Sequence, residues 1–543
     1  MSNAETARAS PIVAETFDAI VIGAGIAGMY QLYRLRELGL SVRVFEAGSG
    51  VGGTWYWNRY PGARFDSESY TYGYSFSKTL LEEWNWSEHF SAQPETLRYL
   101  EFVTDKFDLR RDIRFNSRIA SAVYQETENC WEIATEHGAR ARAKFLITAV
   151  GVLSAPYTPD IPGLSDFKGE SWHTANWPHH PVDLSNKRVG VIGSGATAVQ
   201  LITEVAKNVG QLTVFQRTAN FCVPLNNRPI TPAEQLDLKA RYDAMFEQCR
   251  QSFGAFIHDF DPRSAFDVSN DAREAIFEKL WHEPGFGFWL GNFHDIMTDE
   301  KANATIAEFV RKKIRERVKD PVIAERLTPR DHCFGTKRVP LESGYYEAYN
   351  RPNVQLVDLR ATPIERLTPK GIKTRESEYE FDVIIFATGF DAVTGALTRM
   401  DIRGEGGQGL KDKWRDGPRT YLGLQVAGFP NLFTVVGAHN AANFCNVPRC
   451  IEQNVEWVTA CIRYLREHDL DRISATEEAE ENWRQHCEEV ISHTLFPKTA
   501  SWFMGANIPG KKRTFLGYGG GLPRYRDKCD EVAAQGYAGF VLE

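Results

Sequence analysis

The chain contains no CxxC pair. Its nine cysteines are scattered singly from Cys130 to Cys529, and Cys445 and Cys450 are the nearest two. No metal-ligand spacing appears either, so no metal is expected, and the odd, dispersed set reads as reduced thiols in a cytoplasmic protein. No uninterrupted apolar stretch approaches the length of a membrane span, which argues against a membrane partner. The first residues, MSNAETARASPIVAETFD, lack the basic start and apolar run of a signal peptide and read as a short disordered lead. Positive charge is not in excess: 63 Lys and Arg against 71 Asp and Glu leave a formal net charge of −8. Nothing in that balance calls for nucleic acid, so an anionic ligand must be held by locally placed cations and backbone N–H groups.

What is present is globular. At 543 residues, 43% hydrophobic and 25% charged, the chain is long enough for roughly three to four structural units. Aromatics are plentiful, with 13 Trp, 20 Tyr and 33 Phe; they suit a planar ligand or simply a large core. Three apolar, β-branched runs read as buried parallel strands: FDAIVIGAG from Phe17, KRVGVIGSG from Lys187 and FDVIIFATGF from Phe381. The first two run straight into a Gly-rich turn and a helical pattern, the start of a nucleotide-binding unit. From about Thr231 to Arg330 the texture becomes charged and helix-periodic.

The expected fold is therefore α/β, with two Rossmann-like dinucleotide-binding domains and a helical insertion. The first domain takes residues 1–155 and 387–543. The second takes 156–228 and 333–386, interrupted by the insertion at 229–332.

Gly23, Gly25 and Gly28 make GxGxxG directly after the first strand. The first glycine permits the tight turn, the second lets backbone approach a pyrophosphate, and the third lets helix and strand pack closely. Glu46 closes the next strand, where a carboxylate binds both ribose hydroxyls; that points to FAD or NAD. Gly193, Gly195 and Ala198 repeat the motif as GxGxxA, but the strand LTVFQR ends without an acid and Arg217 stands in its place. A guanidinium fits a 2′-phosphate and hence NADPH, although a solvated surface arginine would look the same. Lys337 is a second candidate phosphate partner. A flavin site beside an NADPH site implies hydride transfer into a flavin. Disulfide reductases of this layout need a redox cysteine pair near the first helix, and none stands before Cys130.

Residues 167–178 read FKGESWHTANWP. Through Phe167, Gly169, His173, Trp177 and Pro178 this stretch resembles the fingerprint of the Baeyer–Villiger monooxygenases, FxGxxxHxxxW followed by Pro or Asp. GGTWYWNRYPGARFD is similar to the same family's GxWxxxxYPGxxxD, through Gly53, Trp55, Tyr60, Pro61, Gly62 and Asp66. FGTKRVPLESGYYEAYNRPNVQLVD is similar to the segment carrying the family's active-site arginine, here Arg338. WFMGANIPGK resembles its mobile loop that closes over NADP, near 498–513, with Trp502 in the family position. The likeness spans almost the whole chain and leans toward the phenylacetone and steroid monooxygenases. It implies an FAD- and NADPH-dependent enzyme, a monomer or weak oligomer, that uses dioxygen to convert a ketone into an ester or lactone. It also implies Gly53, Thr54, Trp55, Asp66 and Tyr72 as FAD contacts, and Thr197, Lys337, Arg338 and Trp502 as NADP contacts. Flavin-dependent N- or S-oxygenases share both glycine motifs; Trp177–Pro178, Asp66 and Arg338 favour ketone oxidation. A non-catalytic NADPH- or redox-sensing module is the third reading.

The chemistry supports these assignments. Attack on a carbonyl by an anionic oxidant leaves a tetrahedral oxyanion, and a permanent cation stabilises both; arginine stays charged because its pKa lies above about 12. Arg338 is that candidate cation and Asp66 its orienting carboxylate, against the alternative of an ordinary ion pair. His173 is assigned to coupling the two nucleotide units and not to proton transfer. Small residues at Ala149–Gly151 and Ala387–Gly389 let the chain cross close to the cofactors. After Gly437 the segment AHNAANFCNVPR departs from many relatives, which leaves the ketone's identity open.

Overall fold

The structure, a computed structural model, describes residues 14–543. Most of the N-terminal lead, residues 1–13, lies outside the described residues. The remainder of that lead is not loop: strand β1 runs Glu15–Ile22, two residues earlier than the apolar run suggests. Glu15, Thr16 and Phe17 pair in register with Ala141, Arg142 and Ala143, a partner that local apolarity does not reveal.

Helix α1 (Ile26–Glu37) follows, then β2 (Val42–Phe45), β3 (Ile113–Arg114), β4 (Ile119–Gln125), β5 (Cys130–Thr135) and β6 (Arg140–Thr148). The chain next builds a second sheet from β7 (Glu170–His173), β8 (Arg188–Ile192) and β9 (Gln211–Gln216), with helix α2 (Ala196–Val205) after β8. Helices α3 (Pro232–Gln251), α4 (Asn270–Trp281) and α5 (Glu300–Arg317) then intervene. β10 (Val354–Asp358) and β11 (Val383–Phe386) complete the second sheet, which is wholly parallel in the order β10-β9-β8-β11-β7. β12 (Asp401–Arg403) and β13 (Leu432–Thr434) return to the first sheet, whose order is β12-β4-β5-β6-β1-β2-β3, with β13 also on β6. Helix α6 (Val447–Glu467) packs against α1, where Gln31 Nε2 donates to Thr459 Oγ1 at 3.1 Å.

Both sheets bury near-continuous β-branched runs, as strands covered on two faces must: Val189, Val191, Val383, Ile384 and Ile385 are fully buried. Within the insertion, Thr231 starts α3 with a capping box, its side chain accepting from Glu234 N while Glu234 bonds back to Thr231 N. On α5, Ile306, Val310 and Ile314 recur every four residues and are fully buried, one apolar stripe of a surface helix. A three-stranded antiparallel meander between Ile364 and Glu380 links β10 to β11. It has no counterpart in the sequence-based reading, because its strands are three to five residues long and largely polar. Among the described residues, no helix is long and apolar enough to cross a membrane.

Candidate active site

The two glycine turns repeat one geometry. In the first, Gly23 N donates to Phe45 O at 2.8 Å and Ala149 N to Ile22 O at 2.9 Å. In the second, Gly193 N donates to Phe215 O at 3.1 Å and Ala387 N to Ile192 O at 2.9 Å. A Cβ on Gly23 (φ +103°) would sit 2.6 Å from the Ala149 carbonyl oxygen, and one on Gly193 (φ +130°) 2.3 Å from that of Ala387. The backbone of each crossing therefore demands glycine at Gly23 and Gly193. A Cβ on Gly28 would lie 1.8 Å from Gly23 O.

Helices α1 and α2 each begin at a glycine without a side-chain cap, so their first N–H groups are left for an anion. A Cβ at Gly195 would meet nothing within 4 Å, and one at Gly25 only the Gly53 backbone, at 3.4 Å for the nearest atom. Open space in front of an uncapped helix start fits a pyrophosphate at both turns.

The shared geometry corrects one placement. Phe45 and Phe215 receive the equivalent hydrogen bonds, so Glu46 corresponds to Gln216, and Arg217 lies one residue beyond the carboxylate's position. Glu46 is buried and accepts from Ala24 N and Gly48 N, each at 2.7 Å. Gln216 is equally buried, but its amide donates to Arg326 O at 2.7 Å. Arg217 is exposed and lines a groove of ≈ 540 Å³ together with Asp331 and Arg360. Burial pushes the Lys337 ammonium below its ordinary value; Asp331 opposes this, and Arg217 and Arg360 add to it. Three cations therefore share one field, which a phosphate would relieve. Arg360, ion-paired with Asp331, was not picked out from the sequence. Its only signal was a position just past β10, the strand beside β9.

Arg338 and Asp66 do meet. Arg338 Nη2 donates to Asp66 Oδ1 at 2.7 Å, and the side chains are 33% and 19% exposed. Phe286 and Trp289 of the insertion lie under the guanidinium, at 4.5 Å and 5.7 Å to the ring centroids. Neither ring was singled out by sequence reasoning. Burial raises the Asp66 carboxyl above the usual carboxylate value, against the pull of Arg338. The loop bearing Asp66 is docked on the second unit: Tyr60 OH donates to Gln200 Oε1 at 2.8 Å, and Gln200 Nε2 donates to Arg64 O at 3.0 Å. A Cβ on Gly62 (φ +84°) would strike Gln200 O at 2.6 Å, which explains the glycine of the YPG motif. Thr197 on α2 reaches the Tyr60 hydroxyl as well.

The other expected residues take varied places. Trp55 is buried, its Nε1 donating to Tyr72 OH at 3.0 Å, and Tyr72 stacks on Phe65; Gly53 is half-buried and Thr54 exposed. His173 accepts from Ala175 N on Nδ1 and sits 3.1 Å through Nε2 from Gly389 O. That joins the end of β7 to the crossing after β11. Burial lowers its pKa, in keeping with a neutral ring. Gly169 is required because a Cβ there would lie 2.5 Å from the Asp382 carbonyl oxygen and 2.5 Å from the Phe167 ring. Trp177 is buried against Trp172, with Pro178 half-buried beside it. The 498–513 segment is folded: Trp502 packs on Phe503, Asn507 Nδ2 donates to Phe390 O at 2.7 Å, and Lys511 pairs with Asp391 at 2.6 Å. Among the described residues no cluster of His, Cys, Asp and Glu could hold a metal, and all nine cysteines are free.

Two dinucleotide folds tied together by one loop, one carrying a buried carboxylate and the other a cation cluster, define a two-cofactor flavoprotein oxidoreductase. A family model described as pyridine nucleotide-disulphide oxidoreductase matches residues 20–252. The chain is 46% identical to an acetone monooxygenase (methyl acetate-forming) of Gordonia sp. (strain TY-5), over 97% of this chain and 99% of that one. It is 45% identical to the phenazine N-monooxygenase PhzNO1 of Lysobacter antibioticus, over 97% of each. The crystal structure of OTEMO in complex with FAD and NADP superposes with a TM-score of 0.95 at 47% identity, covering 98% of this chain and 100% of that one. The chain belongs to the Baeyer–Villiger monooxygenase family, the class B flavoproteins that depend on FAD and NADPH.

Proposed function

We propose that Arg338 and Asp66 are the catalytic pair with which this enzyme inserts one oxygen atom beside a ketone carbonyl. Ketone, dioxygen, NADPH and a proton give ester or lactone, NADP⁺ and water. The observation that carries the reading is the half-buried Arg338 guanidinium, 2.7 Å from Asp66 and seated on Phe286 and Trp289. When bound, reduced FAD supplies the electrons and the activated oxygen. Arg338 supplies a guanidinium cation where the ketone oxygen turns negative; removing such a group costs about 100- to 1,000-fold in rate. Asp66 restricts the guanidinium to one orientation, and the two rings keep water from its underside.

The same reading assigns the cofactor contacts. Gly23, Gly25, Gly28 and Glu46, with Gly53, Thr54, Trp55 and Tyr72, hold FAD. Gly193, Gly195, Thr197 and Ala198 hold the NADPH pyrophosphate, and Arg217, Lys337 and Arg360 its 2′-phosphate. Trp502 and the folded 498–513 segment close over NADP. His173 couples the two units through Gly389. Strands on both sides of the insertion share one sheet, which supports the domain division at 155, 228, 332 and 386. Free cysteines support a cytoplasmic location, and a monomer or weak oligomer is the assembly proposed.

The test is turnover under heavy-isotope dioxygen with a panel of ketones, a sulfide and an aromatic N-heterocycle, read by mass spectrometry. One labelled oxygen in an ester is the expected product. Labelled N-oxide without ester would instead establish N-oxygenation, the second reading, which the similarity to a phenazine N-monooxygenase favours.

A further inference from the structure

Two residues beyond Asp66 a second acid is buried. Glu68 is 1% exposed; its Oε1 lies 2.7 Å from His258 Nε2, and its Oε2 is buried without a hydrogen-bond partner. A buried carboxylate with half its capacity unused is costly, and His258 is the cation-capable group that answers it. Burial works against charge on the His258 ring, yet Glu68 and then Glu283 hold its pKa above the ordinary imidazole value. A well-packed apolar pair would make the same contact with less desolvation; a directional bond instead specifies one register.

The pair stands where three segments of the site meet. His258 lies in the loop after α3, which also holds the non-glycine Ala255 at φ +56°. The same loop accepts a hydrogen bond at Gly254 O from Asn446 N at 2.8 Å. Asn446 in turn donates through Nδ2 to Thr71 Oγ1 at 3.1 Å, beside Glu68 in sequence. From the other side, Gly285 (φ +73°) presses on the acid: a Cβ there would lie 2.7 Å from Glu68 Oε1. The next residue is Phe286, which together with Trp289 carries the Arg338 guanidinium.

We propose that the Glu68–His258 hydrogen bond is a positioning staple. It locks the helical insertion onto the loop that bears Asp66, and so holds the Phe286–Trp289 seat, with Arg338 on it, in register with Asp66. His258 is a positioning residue in this scheme, since it acts through the segments it joins. The inference rests on the roles proposed for Arg338 and Asp66.

His258→Ala tests it, compared with His258→Gln, whose amide reproduces the Nε2 donor. In His258→Ala, FAD content and the rate of reduction by NADPH stay within about two-fold of the parent, because neither nucleotide turn is touched. The fraction of NADPH that yields ester falls about five-fold, and deuterium exchange of residues 66–72 and 283–289 in the resting protein rises. His258→Gln restores both readouts. Should His258→Ala not fold, His258→Phe fills the same space without a nitrogen and takes its place. Unchanged coupling in the Ala or Phe variant, reduction and oxygenation falling together, or a Gln variant no better than Ala would each overturn the staple. Arg338→Ala, run in parallel, separates the two readings: if it still forms ester, the role of Arg338 is wrong; if it alone loses ester, only the staple is.

Discussion

In the first nucleotide-binding unit, the strand after the glycine turn is followed at once by a buried carboxylate; in the second the equivalent position is a buried amide. Glu46 accepts two backbone N–H groups, whereas Gln216 donates to the Arg326 carbonyl of the insertion. The turns before them agree bond for bond, so the difference in ligand comes from one side-chain atom and its neighbours. A ribose needs an acceptor, and the residue proposed for it, Glu46, adjoins the sheet. A 2′-phosphate needs cations, and those proposed for it, Arg217, Lys337 and Arg360, come from three separate segments. The first recognition site is therefore local in sequence and the second is tertiary.

The sharpest way to break this comparison is the third glycine. Gly28→Ala places a Cβ 1.8 Å from Gly23 O, and the purified protein should lose essentially all FAD. Flavin absorbance close to the parental ratio would show that the first turn is more forgiving than its geometry. Acid stability comes next. Burial, with Lys337 adding, pushes His332 down to about 4; burial, with Arg484 adding, does the same to His439. Both rings stay neutral in the folded chain while their unfolded counterparts charge near pH 6.5. Their contribution is present above that pH and is lost as pH falls toward 4, up to about 3 kcal/mol for each ring. One ring lies beside Lys337 and the other in the first unit, so His332→Gln and His439→Gln should each flatten part of the acid limb of Tm against pH. A double variant with the parental limb would refute this.

Arg217→Ala should raise the NADPH KM about ten-fold, the loss of one charge-assisted contact, and narrow the preference over NADH. Gln216→Glu makes the second unit imitate the first and should narrow it further. An unchanged NADPH-to-NADH ratio in both variants would move the 2′-phosphate elsewhere. The smallest effect is expected from Ala198→Gly, about 1 kcal/mol at most, measured as a shift in denaturation midpoint.

Much of the site was legible because its signals are local. A GxGxxG between strand and helix encodes its own turn, and the YPG and fingerprint stretches carry their residues within a dozen positions. The placement of Arg217 missed by one residue, since a strand's last residue is set by the hydrogen bond at Phe215 and not by its apolarity. Phe286, Trp289 and the Glu68–His258 pair gave no local signal, and Arg360 gave only its position after β10. Each is an ordinary residue type in a loop or short turn, and its meaning lies in a partner far away in sequence.

Chain order alone was enough for the fold class, the two nucleotide turns and the pairing of Arg338 with Asp66, because those rest on contiguous motifs and residue chemistry. Only the folded molecule decided which side chain answers Glu46 in the second unit, that Arg360 joins Arg217 and Lys337, and what seats the guanidinium. Those outcomes depend on the relative placement of the two units and the insertion, which is fixed by long-range contacts such as Tyr60 with Gln200 and His258 with Glu68. Packing forces of that kind act between segments that no reading along the backbone brings together.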